Sequence, residues 1–225
     1  MIRNGKPAYR SFLFLFLMKQ PSDVQIARFW QWFDQEKTYY EWTPPHEWDP
    51  EKLYMLNRQL TRLAPELGFE FGVVPNRHPL TLELAISANG ELPLFPLVKR
   101  IVKAAPTPWE RWRIVAFKQP YPEPKGLELT VEGLTLAVSQ MAFVALPAGD
   151  QLNIILYAPG VRWFARQLVT SASLTLAVNL LGEYRDAMFI NCYDVHDIEQ
   201  EEDKENLLPL AQLPAYLDRL YQNRN

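Results

Sequence analysis

The chain has 225 residues, 48% hydrophobic and 22% charged, with a formal net charge of −3 and an isoelectric point near 5.7. That composition suits a globular protein of one large or two small domains, and it supplies no global basic field to attract a nucleic-acid backbone. Cys192 is the only cysteine, which excludes an internal disulfide and a multi-cysteine metal site, and permits a reducing compartment.

Residues 1–20 contain an apolar run, Phe12 to Met18, flanked by basic residues. The run is far short of the ~20 residues that span a bilayer, and no small-residue cleavage site follows it. We read residues 1–20 as an extension, with Met18 a natural start; a short strand covering the core is the alternative. No membrane association is expected, and residues 21–225 are expected to form one α+β domain with a weak internal boundary at 118–126.

Ser22 and Gln25 form the S-x-x-Q capping box of a first helix, whose apolar face is Ile26, Phe29, Trp30 and Phe33. A second helix starts at Asp49–Pro50, a good N-cap followed by proline at the first helical position. Trp48 is placed to staple onto Leu53, and Gly68 to end the helix. Period-2 alternation at Phe69, Phe71 and Val73, and again from Leu80 to Ile86, predicts a hairpin across the turn 75–79. A third helix follows over Leu94 to Ala105, then a strand over 111–117.

Beyond the proline-rich stretch 118–126 the order partly repeats. A hairpin crosses the turn 147–150, a long helix covers about 161–181, a strand covers 187–195, and a short helix starts near Pro214. Both halves read hairpin, helix, strand. The expected architecture is therefore α+β, with a largely antiparallel sheet of two such units and the two N-terminal helices packed on it.

The chain lacks the nucleophile elbow, the phosphate-binding glycine loops and the H-E-x-x-H zinc motif. Cys192 lies in an apolar strand pattern and reads as a structural thiol. Asp194 and His196 alternate onto one side of a strand end, so they are weak candidates for a metal pair, with Glu183 or Asp186 the sequence-near third ligands. Glu70 and Glu83 lie on facing strands of the first hairpin and could point to the same side as a carboxylate pair, although a polar hairpin face is ordinarily just solvated.

Seven aromatics fall within residues 26–42, and the first four share a core-type helical face. Tyr39, Tyr40 and Trp42 are expected beyond the helix, in a proline-flanked loop. With Trp48 they are candidates to line a groove or partner surface. The acidic segment 197–205 reads as a solvated loop or a docking surface for a basic partner.

Several segments, "FWQWF", "LELAISANGELPLFPLVKRIVKAAP" and "LLGEYRDAMFI", resemble a bacterial family of uncharacterised proteins with an F-W-x-W-F helix, an I-S-A-x-G turn and an L-G-E element. The similarity covers roughly residues 24 to 195. Its motifs are structural: a core helix, a strand-to-helix turn at Ser87 to Gly90 and a helix end at Gly182. The resemblance implies no activity and carries over no catalytic residue. Related domains sometimes share a chain with one similar to a ribonuclease regulator, which implies regulation through protein contact. Glu183 is the polar residue of the L-G-E element, a carboxylate placed against the dipole of the helix expected to end at Gly182, and so a ligand-binding candidate.

The expectation from sequence is a cytoplasmic, non-enzymatic module that binds a protein partner or a second copy of itself, without a cofactor. The alternatives are a metal-assisted or hydrolase-like enzyme and a small-ligand binder. Elemental analysis and an activity panel would decide the enzyme.

Overall fold

The computed structural model describes residues 20–74, 80–106, 108–161 and 164–222. The expectations for residues 1–17 and Met18, and for the turn 75–79, lie outside the described residues. Five α-helices and nine strands are described, and the class is α+β. The chain divides into two compact units between Lys118 and Gln119.

In the unit before that division, α1 (Asp23–Trp42) opens with the Ser22–Gln25 capping box, both of whose hydrogen bonds form. The helix runs through Trp42, so Tyr39, Tyr40 and Trp42 are helical and not in a loop. Nothing between Phe33 and Trp42 is a glycine or proline, and Tyr40 lies seven residues beyond Phe33, so the buried stripe simply continues. Asp49 caps α2 (Pro50–Thr61) through the Glu51 N–H at 2.9 Å. That helix stops before Pro65, which disfavours helical backbone at the residue preceding it. Gly68 therefore opens a strand instead of closing the helix.

Strands β1 (Gly68–Val74) and β2 (Thr81–Ser87) pair antiparallel. Helix α3 (Phe95–Lys103) then crosses to β3 (Trp112–Ala116), which pairs parallel with β2. The Asn89–Gly90 turn joining β2 to the crossover has two positive φ angles, 50° and 79°, which asparagine and glycine tolerate best. The Trp30 indole donates to the Ile101 carbonyl at 2.8 Å and ties α1 to α3.

In the second unit a two-residue turn, Glu132–Gly133 (φ 47° and 80°), joins β4 (Glu128–Val131) to β5 (Leu134–Ala137). Two positive φ angles in such a turn match the twist of the flanking strands. Strands β6 (Ala142–Ala148) and β7 (Gln151–Ala158) form the next hairpin. Helix α4 (Arg166–Phe189) crosses to β8 (Ile190–Asp197), parallel to β7. The short β9 (Leu208–Pro209) pairs with β6, and α5 (Leu213–Gln222) closes the unit.

The expected strand 187–195 starts three residues later, because a second helical segment intervenes. Helix α4 is broken at Gly182 (φ 72°, ψ 160°) and resumes to Phe189. Tyr193 and the bidentate Arg185–Asp218 pair (3.1 Å) anchor that resumed turn: the Tyr193 hydroxyl donates to Asp186 at 2.6 Å, and Asp218 belongs to α5.

Pairing is spread over three sheets, ordered β1-β2-β3, β4-β5 and β8-β7-β6-β9. Four of the six ladders are antiparallel. The hairpin–crossover–strand arrangement recurs: β1-β2-α3-β3 and β6-β7-α4-β8 have the same strand order and the same pairing senses.

Candidate functional site

Of the four candidate aromatics, three serve packing. Tyr40 is 1% exposed, lies 5.1 Å from the Phe71 ring and 5.4 Å from Trp48, and donates its hydroxyl to the Lys52 carbonyl at 3.0 Å. Burial, with the Glu36 and Tyr39 charges behind it, pushes its phenol up to about 12. Tyr39 is half-buried and accepts the Asp49 N–H at 2.7 Å, bracing the N-cap of α2. Trp48 donates its indole N–H to Thr43 at 2.8 Å and packs on Phe71 at 4.7 Å. Its ring faces the aromatic core of the unit, which gives it a structural task.

Trp42 is different. It is 74% exposed at the last turn of α1, and the Arg111 guanidinium lies over its ring, 4.7 Å from the centroid. The buried Nε of Arg111 has no hydrogen-bond partner among the described residues. A guanidinium laid on an exposed indole is held by cation–π attraction, worth about 0.5–1 kcal/mol at such a site, and its outer N–H groups remain available to a carboxylate. Arg111 carries no sequence signal for this role: it falls in "RWRIVAF", where the neighbouring alternation marks only a strand.

Glu70 and Glu83 lie on the same face of the first hairpin, offset by one diagonal step, since Glu70 opposes Ala85 and Glu83 opposes Gly72. Each has its own cation. Glu83 pairs with Arg113, and Glu70 lies 3.9 Å from Lys118. That arrangement gives each carboxylate its own opposite charge.

In the second unit, Asp194 and His196 sit at the carboxyl end of β8 and contact one another, Nε2 to Oδ2, at 3.3 Å. Burial pushes the Asp194 carboxyl up, but the hydrogen bonds from His196 and the Val195 N–H outweigh it and leave the pKa below the usual carboxylate value. Among the described residues, no three His, Cys, Asp or Glu side chains are grouped to hold a metal ion, so neither Glu183 nor Asp186 completes the pair into a metal site.

Glu183 is 5% exposed and follows the break at Gly182. It therefore begins the resumed helical segment instead of trailing the first. A carboxylate there is favoured by the helix dipole, which reverses the expectation drawn from a helix end. Gly182 adopts backbone angles that essentially only glycine tolerates, so the L-G-E element is explained by the kink. Cys192 is buried and donates to Asn153 Oδ1 at 3.0 Å, a packed thiol.

Around His196 the structure gathers residues that no sequence motif marks. A cleft of about 350 Å³ is lined by Val161, Arg166, Val195, His196, Asp197, Gln200 and Glu201. Asp197 is 8% exposed and accepts the Glu199 N–H at 2.9 Å. Arg166 donates to the Val195 carbonyl at 3.3 Å. The Tyr157 hydroxyl bonds to Glu201, its ring is edge-on to His196 at 5.7 Å, and burial followed by the Glu201 bond raises its pKa.

The candidates thus fall into separate groups: the aromatics belong to the first unit, and Glu183, Asp194 and His196 to the second. Among the described residues no helix is long and apolar enough to cross a membrane. No protein-family model, curated protein or solved structure matches the chain.

Proposed function

We propose that the protein is a non-enzymatic binding module whose first unit docks an acidic segment of a protein partner on Trp42 and Arg111. The observation that carries this reading is the 74% exposure of Trp42 beneath a guanidinium that makes no hydrogen bond or ion pair among the described residues. Tryptophan and arginine are the side chains most enriched at interface hot spots, and the indole here is already ordered by its stacked partner. The segment carries carboxylates because Arg111 has donors to spare and a planar fork that suits them.

Three further readings accompany the proposal. The single, reduced and buried cysteine supports a cytoplasmic protein. The F-W-x-W-F, I-S-A-x-G and L-G-E elements support membership of the bacterial family they resemble. Self-association is the alternative to a foreign partner, and light scattering on the purified protein separates the two.

Capture from a native bacterial lysate tests the docking surface when wild type is compared with Trp42→Ala and Arg111→Gln. A stoichiometric partner held by wild type, released by either variant and weakened by added salt, is the expected outcome. Equal retention by all three proteins, or no partner together with a monomeric state, overturns the proposal.

A further inference from the structure

The recurrence of the hairpin–crossover–strand arrangement gives an internal control for what the fold itself requires. The two parallel ladders match in register at their carboxyl ends. Ile86 opposes Ala116 in the first and Ala158 opposes Asp197 in the second. The next residue closes the ladder in each case, Phe117 N–H to the Ile86 carbonyl at 2.8 Å and Ile198 N–H to the Ala158 carbonyl at 3.1 Å. One step back, Ala85 opposes Val115 in the first ladder, and Tyr157 opposes His196 in the second.

The first ladder therefore ends in Ala85, Val115 and Ala116, followed by the buried Phe117, whose ring packs tilted against Phe95 at 4.2 Å. The second ends in Tyr157, His196 and Asp197, beside an open cleft. The same backbone arrangement closes with apolar side chains in one unit, so the polar set in the other is not needed to build it. In open α/β sheets ligands enter at the carboxyl ends of parallel strands, and β7 and β8 form such a parallel pair within this mixed sheet.

We infer that the cleft at the carboxyl end of β7 and β8 binds a small zwitterion, a molecule of amino-acid size carrying both an ammonium and a carboxylate. The lining selects that class. A simple anion would face Asp197 and Glu201, and a simple cation would face Arg166. A zwitterion places its ammonium on the two acids and its carboxylate on the guanidinium, which makes no ion pair among the described residues. His196 and Gln200 add side chains to the lining that can hydrogen-bond to such a molecule. A volume of about 350 Å³ lies at the small end of ligand sites and fits one such molecule.

Thermal-shift and calorimetric titrations on the full chain test this, with each of the twenty proteinogenic amino acids as a probe, methylamine as the ammonium alone and acetate as the carboxylate alone. At least one amino acid should raise the melting temperature with saturating, one-to-one binding, while methylamine and acetate do not. Arg166→Gln and Glu201→Gln should each weaken that binding about tenfold or more, the scale of one lost charge-assisted contact. His196→Val, which installs the residue found at the matching position 115, should fold normally and also weaken binding. No response to any amino acid, an equal response to methylamine or acetate, or wild-type affinity in all three variants overturns the inference.

Discussion

The two parallel ladders share a topology and differ in how they end. At the end of β2 and β3 the chain buries Phe117 against Phe95, whereas at the end of β7 and β8 it leaves a cleft edged by His196, Asp197 and Arg166. The crossovers differ as well. Helix α3 is nine residues long and has a single apolar face, while α4 is 24 residues long, broken at Gly182 and lined with buried small and hydroxyl residues. One unit invests its side chains in closure. The other tolerates polar groups and irregular backbone, which pure packing would not select.

The largest effect expected from breaking this contrast comes from opening the closed end. Phe117→Ala removes a buried ring from its contact with Phe95 and should cost about 3–5 kcal/mol, read as a fall in the urea midpoint. A loss below about 1 kcal/mol would mean that the ring is not a plug and that the two ends are equivalent.

Gly182→Ala comes next. At φ 72° and ψ 160° a Cβ is strained, so the variant should lose about 1–3 kcal/mol by forcing the helix break to move. An unchanged melting temperature would remove the kink from the contrast. Ser173 acts in the opposite direction. Its hydroxyl is fully buried on α4 without a hydrogen-bond partner among the described residues, so Ser173→Ala should stabilise the protein by about 1 kcal/mol in the same assay.

The smallest effect concerns pH. The folded pKa of Asp194 lies below its ordinary value of 3.8, so the stability it contributes is present above that value. That contribution is lost as pH falls through the lowered value. In Asp194→Asn the acid limb of the stability profile should become shallower below about pH 4, with little change near neutrality. An acid limb identical to wild type would show that the contact with His196 is energetically idle.

How much of this was legible in advance differs by element. The capping box at Ser22, the Asp49–Pro50 helix start and both main hairpins are local signals, and they appear where the residues place them. The helix α1 is longer than expected, because three aromatics near a proline suggest a loop while the buried stripe runs seven residues past Phe33. Strand β5 is not among the elements expected from sequence, although Glu132–Gly133 before it is turn chemistry. Of the candidate residues, Trp42 is exposed, Tyr40 is in the core, and Tyr39 and Trp48 brace a loop. Helical spacing marks Tyr40 as a continuation of the Phe33 stripe, whereas the order of residues does not distinguish Tyr39, Trp42 and Trp48, whose exposure depends on what packs against them.

The amino-acid sequence by itself determined the α+β class, the helix starts and the recurring order of hairpin, helix and strand. These rest on periodicity, capping and turn chemistry, which act over a few residues. Only the tertiary structure placed Arg111 over Trp42, filled one ladder end with Phe95, and drew Arg166, His196 and Glu201 around one cleft. Those pairings join residues from 22 to 69 positions apart in the chain, as Phe95–Phe117 and Trp42–Arg111 show. They are set by strand register and crossover length, which no local pattern encodes.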